Sequence, residues 1–216
     1  MTDIDFLAPR GCLLDPIPEI WIAARLLQEA VRAHLSGDTA RADALIREAD
    51  MPVLAKWTEA LWGERSTQIH RIRRVPTFPP YLASEMLPKP RMPTTATKLQ
   101  VRQRDGFFCR FCGIPVVEAS VRARVRSKYP SALRWGTKNV EQHAAFQCMW
   151  LQYDHVLPNS RGGESTLDNV VVTCAPCNFG RTELTLDEVG LLDPRLSRPS
   201  NLWDGAAKWN GLQEFV

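Results

Sequence analysis

The amino-acid sequence predicts an α+β fold, mainly helical, in which an N-terminal helical region precedes a compact domain organised around cysteines. Three observations lead there. Apolar residues in the first third recur at helical spacing, prolines crowd one short stretch, and the second of two Cys-x-x-Cys pairs falls within a run that reads as strand, loop, strand and helix. With 216 residues, 44% hydrophobic and 24% charged, the chain has the make-up of a globular protein rather than a disordered one.

Ile20, Ala24, Leu27, Val31 and Leu35 share one helix face, and Gly37 supplies the stop. Asp38 can cap a second helix, and a third opens near Pro52 with Leu54, Trp57 and Leu61 on one side. These helices occupy residues 1–74 and carry no visible chemistry. His34 and His70 lie among them without a second ligand at useful spacing, so they read as surface or packing residues.

Six prolines between Val75 and Thr97 (76, 79, 80, 88, 90 and 93) exclude a continuous helix or central strand. Residues 75–97 are therefore a connector between domains, or an ordered strap anchored by Phe78, Tyr81, Leu82 and Met86. Thr94 or Thr95 caps the next helix, which runs through Lys98 and Arg102 to Asp105 and ends at Gly106.

Phe107 to Gly113 then place a cysteine pair on a tight strand-turn element. Residues 117–128 and 140–151 read as helices, Gln152–Leu157 and Leu167–Thr173 as strands, and 176–183 as a helix. The tail 191–216 carries Trp203, Trp209 and Phe215, read as anchors that pack back onto the protein, with base stacking as the alternative.

The start MTDIDFLAPR lacks the basic beginning and apolar core of a secretory signal, and no run approaches the roughly 18 apolar residues of a membrane span. A cytoplasmic protein without membrane contact is expected. Its formal charge is only +3, but Lys98–Thr182 holds twelve Lys and Arg against six Asp and Glu. Positive charge gathers where the cysteines are, as on a surface that meets a polyanion, although a solvated positive face has the same composition.

Cys109-Arg-Phe-Cys112 and Cys174-Ala-Pro-Cys177 have the spacing of a tetrahedral zinc site. Each turn points two thiolates inward, and two turns close four-coordination with no open position, so the zinc is expected to be structural. The long interval between the pairs implies a segment with structure of its own. Cys12 and Cys148 stand alone and read as small buried hydrophobes.

Within and after that interval lies DHVLPNSRGGESTLDNVVVTCAPCN, which resembles the core of the HNH nucleases, a ββα-metal family. The resemblance covers about Arg104 to Thr182. It implies a zinc-stabilised ββα-metal (HNH) nuclease domain over 98–190 with a helical insertion at 113–151, acting as an endonuclease on nucleic acid, most simply double-stranded DNA.

By the same resemblance His155 is the general base, Asp154 and Asn178 hold one divalent cation, and Asn169 braces the loop and orients His155. The family's usual third letter is histidine; here it is Asn178. Carboxylate plus amide is a hard ligand pair, so Mg2+ or Mn2+ is expected as the catalytic ion and Zn2+ as the structural one.

Gly162-Gly163 allow a tight turn beside Arg161, and Arg181 falls one helical turn after Asn178. Both are candidate phosphate contacts, with ordinary surface charge as the alternative. Arg122, Arg124, Arg126 and Lys128 are further candidates for the nucleic-acid backbone, and His143 reads as packing or substrate contact. A rival reading is a non-catalytic zinc module that binds nucleic acid or protein on the same scaffold. No residue identifies a protein partner or a role for the N-terminal helices.

Overall fold

A computed structural model describes residues 8–62, 67–75, 79–196, 199 and 205–215. Pro76, Phe78 and Trp203, singled out above, lie outside the described residues. The element order is α1 (Pro18–Leu35), α2 (Thr39–Glu48), α3 (Pro52–Trp62), α4 (Thr67–His70), α5 (Thr95–Asp105), α6 (Ala119–Lys128), α7 (Ala144–Cys148), β1 (Leu151–His155), β2 (Val170–Cys174), α8 (Ala175–Arg181) and α9 (Leu186–Val189), with short 3-10 turns between.

The local signals act where expected. Asp38 accepts from Arg41 N at 2.9 Å to open α2, and Thr94 accepts from Thr97 N at 3.1 Å to open α5. Gly37 and Gly106 follow α1 and α5 with φ of +83° and +71°, a conformation that costs a side chain strain but glycine little. Ile20, Ala24, Leu27 and Val31 are buried, whereas Leu35, in the last turn, is 62% exposed.

The helix expected over 140–151 is broken. A 3-10 turn at Asn139–Glu141 is followed by His143 in extended geometry, then the five residues of α7. Tertiary bonds outweigh local propensity here. His143 Nε2 meets Ile46 O at 2.8 Å, Asp50 accepts from Ala144 N at 2.7 Å and pairs with Arg134 at 2.7 Å, and Leu151 N is drawn to Val117 O. His143 is thus a buried packing residue that ties α7 to the N-terminal helices.

β1 and β2 form a two-stranded antiparallel sheet, with His155 opposite Val170 and Asp154 opposite Val171. α8 packs on both strands and on α3, and α3 also packs on α7. One connected set of buried apolar residues runs from Leu13 through α1–α3 to the strands and on to Phe215. Trp209 donates to Val116 O and Phe215 packs beside His34 and Tyr129, so these tail aromatics serve as anchors. His34 itself bonds Tyr129 Oη at 2.7 Å, and His70 is buried with Nε2 3.3 Å from Leu61 O.

The proline-rich segment takes the course of a strap. Leu82 N donates to Ser160 O, Asn159 donates to Pro88 O, and Ser165 Oγ reaches Pro90 O and Arg91 O, so residues 79–93 lie along the loop that leaves β1.

Asp105 joins α5 to the sheet. Its fully buried carboxylate pairs with Arg104 at 2.7 Å and Arg110 at 3.5 Å and accepts from Val172 N at 2.9 Å. Removing one member of such a group strands buried charge and a buried N–H. Asp105→Ala is expected to destabilise the protein by about 3 kcal/mol, read as a lowered urea midpoint, with Asp105→Asn losing less because it can still accept from Val172.

Candidate active site and cysteine cluster

The first cysteine pair sits on a tight turn. Cys109 N donates to Ile114 O and Gly113 N to Cys109 O, both at 2.9 Å, with Gly113 at φ +77°. The second pair straddles the junction of β2 and α8: Cys174 ends the strand and Cys177 lies in the first turn of the helix. Arg110 N bonds Val172 O at 2.9 Å and holds the two turns together.

All four thiols are buried, with ligand atoms within 4.8 Å of one another and Cys112 Sγ 3.7 Å from Cys174 Sγ. Four sulfurs at about 2.3 Å from a tetrahedral zinc would sit about 3.8 Å apart. The cluster therefore fits a zinc site. Cys12 and Cys148 are buried outside it; burial pushes both thiols up, as for inert core residues.

The pleat of β1 sends Asp154 and His155 to opposite faces. Asp154, 5% exposed, accepts from Arg181 at both oxygens, Nη2 at 2.6 Å and Nε at 3.1 Å. Arg181, 1% exposed, also reaches the carbonyls of His155, Val156 and Leu184. A single guanidinium thus ties the end of α8 to β1. Burial pushes the Asp154 carboxyl above its ordinary value, and Arg181 opposes the shift.

His155 is half-buried, with Nε2 2.9 Å from Ser165 Oγ. Burial, then the positive fields of Arg181 and Arg91, push its pKa below the ordinary histidine value and favour the neutral ring.

Asn169 clasps the loop after β1. Its Oδ1 accepts from Leu157 N at 2.9 Å, and its Nδ2 donates to Leu157 O and Glu164 O at 3.0 and 2.9 Å. Gly163 packs so closely here that a Cβ would collide with Leu157 O. Asn169 braces the loop, but the polar partner of the His155 ring is Ser165, which sequence reasoning did not single out.

Asp154, His155 and Asn178 line one cleft of about 670 Å³. Leu87, Arg91 and Met92 of the strap form part of its wall, and Tyr153, Phe179 and Glu183 complete much of the rest. Phe179, 41% exposed, leans on Trp62 and Trp150 at 5.4 and 6.1 Å.

Residues 145–188, which contain β1, β2, α8 and the second cysteine pair, match the family model of the HNH endonuclease. Over that stretch the chain is similar to an HNH endonuclease domain. The matched stretch leaves out the N-terminal helices, the strap and the first cysteine pair. No curated protein and no solved structure matches the chain. The HNH family is one of nucleases, and the matched region holds all four residues that the resemblance singled out, Asp154, His155, Asn169 and Asn178.

The phosphate contacts expected at Arg161 and Arg181 are corrected. Arg161 is 4% exposed, pairs with Glu188 at 2.9 Å, donates to Pro79 O and stacks 3.6 Å from the centre of the Tyr81 ring. Both arginines act inside the protein, where burial is tolerated because carboxylates and carbonyls surround them.

Arg122 is also turned inward, 3.5 and 4.7 Å from the ring centres of Trp135 and Trp150; burial and neighbouring Arg126 push its pKa down to about 10. Arg124 is half-buried, while Arg126 and Lys128 are exposed. Among the described residues no helix is long and apolar enough to cross a membrane.

One zinc per chain is expected by elemental analysis of the purified protein. Cys109→Ser and Cys177→Ser should each lower that content and the thermal midpoint together, because metal-binding free energy at such a site is also folding free energy.

Proposed function

We propose that this chain is an endonuclease that hydrolyses phosphodiester bonds of double-stranded DNA, with His155 as general base. The observation that carries this reading is the shared cleft of Asp154, His155 and Asn178 within the HNH-matched stretch.

Asp154 and Asn178 would hold one divalent cation. A carboxylate and an amide oxygen are a hard donor pair suited to Mg2+ or Mn2+, and each Asp154 oxygen retains a lone pair beyond its bond to Arg181. When bound, such an ion polarises phosphoryl oxygens and stabilises the leaving oxygen.

The protein's own residues do the rest. His155 takes the proton of the attacking water, Asn169 fixes the loop that lies over β1, and Arg181 holds Asp154 in place. Zn2+ at the cysteine cluster stabilises the frame as a closed structural site, and α6 and α7 lie in a helical insertion.

Substrate contact falls to cations that remain exposed. Arg91 stands exposed in the cleft wall contributed by the strap, and Arg126 and Lys128 stand exposed on α6. DNA binding should therefore depend steeply on salt, with a slope of log K against log salt of about −3 or steeper, and Arg91→Ala should reduce that slope by about one on unrelated sequences alike.

One observation favours a second reading, a non-catalytic zinc-stabilised module for nucleic acid or protein: both oxygens of Asp154 are already paired with Arg181. A plasmid-nicking assay separates the two. Wild-type protein should convert supercoiled to nicked plasmid, and His155→Ala should be slower by about 100-fold or more with its zinc content unchanged. Equal rates in the two proteins would remove His155 from the mechanism, and binding without cleavage by wild type would favour the second reading.

A further inference from the structure

A histidine that acts as a base must offer a lone pair, and a neutral imidazole has one such nitrogen and one N–H. The surroundings of His155 decide which nitrogen is which. Its Nε2 lies 2.9 Å from Ser165 Oγ. That hydroxyl has a single hydrogen and lies 2.9 Å from two further atoms, the carbonyl oxygens of Pro90 and Arg91. Carbonyl oxygens only accept, so the Ser165 hydrogen points to them, and the Ser165 oxygen is left to accept from the ring.

We propose that the proline-rich strap sets the tautomer of His155. Pro90 and Arg91 carbonyls take the Ser165 hydrogen, Ser165 takes the His155 Nε2 hydrogen, and Nδ1 keeps the basic lone pair. Ser165 is then a positioning residue that acts through His155 and touches no reacting atom. The effect on catalysis rests on His155 being the base in the reading above, whereas the tautomer itself follows from the hydrogen bonds and can be measured without any activity.

The strap is well placed for this role because the loop holds it at three other points. Leu82 N bonds Ser160 O at 2.9 Å, Asn159 Nδ2 bonds Pro88 O at 3.0 Å, and Arg161 bonds Pro79 O at 2.5 Å while stacking on Tyr81. Pro90 itself lacks an N–H, so the backbone here presents acceptors without a competing donor at that residue. The strap thereby links one wall of the cleft to the ring orientation of His155, and Asn169 ties the same loop through Leu157 O and Glu164 O.

The test is nitrogen NMR of 15N-labelled, zinc-loaded protein, at a pH above the titration range of the ring. The chain has four histidines, and the signals lost in His155→Gln identify those of His155. Wild type should show two well-separated ring shifts, with the proton coupled to Nε2. In Ser165→Ala the two shifts should move toward each other as Nδ1–H becomes populated, and Ser165→Thr, which keeps the hydroxyl, should restore the separation.

If nicking is observed, Ser165→Ala should lower kcat roughly tenfold with KM little changed, and Ser165→Thr should recover most of the loss. A wild-type ring protonated on Nδ1, or a Ser165→Ala spectrum identical to wild type, would overturn the proposal. Absence of nicking with the predicted spectra would instead count against the nuclease reading and leave the tautomer assignment standing.

Discussion

The meeting of Cys109, Cys112, Cys174 and Cys177 in one buried cluster is the constraint on which the remaining geometry depends. It brings together turns 62 residues apart in sequence, from Cys112 to Cys174, and the second turn lies at the junction of β2 and α8. Three consequences follow from chain connectivity and strand pairing. Asn178 is fixed because it follows Cys177, β1 is fixed because it pairs residue by residue with β2, and His155 is fixed because it ends β1. A metal at the cluster would add its binding free energy to the stability of that whole arrangement.

Around this frame four arginines are turned to internal ion pairs. Arg181 pairs with Asp154, Arg161 with Glu188, and Arg110 and Arg104 with Asp105, in each case with carbonyl oxygens completing the shell. Buried ion pairs of this kind are weak sources of net stability but heavily penalise any arrangement that leaves one member unpaired. Here they fix directions: the plane of the Asp154 carboxylate, the path of the loop after β1, and the attachment of the cysteine turn to β2.

How much was legible in the sequence follows from which interactions are local. Asp38, Thr94, Gly37 and Gly106 act on neighbouring backbone, so their caps and stops were readable. Cys109 to Cys177 were readable because zinc demands a fixed ligand type at fixed spacing. The site's order along the chain followed from the DHVLPNSRGGESTLDN pattern.

The destination of a long cationic side chain is set in three dimensions. For that reason Arg161 and Arg181, read as phosphate contacts, are internal ties, while Arg91 in the strap, which carried no signal, borders the cleft. Ser165 was equally silent, since a serine bonded to carbonyls about 75 residues away has no local signature. The broken helix at 140–151 has the same cause: Ile46 and Asp50 in the N-terminal region compete with its own ladder.

In the proposed function this frame presents His155, Asp154 and Asn178 to a phosphodiester together with a divalent ion. The most direct measurement is metal add-back: protein freed of loosely bound divalent ions, its zinc retained, is mixed with supercoiled plasmid and then with Mg2+, Mn2+ or neither. Nicked plasmid is expected with Mg2+ or Mn2+ and none without them. Undiminished cleavage in the ion-free arm, or intact plasmid in all three arms with zinc present in full, would contradict the proposed function.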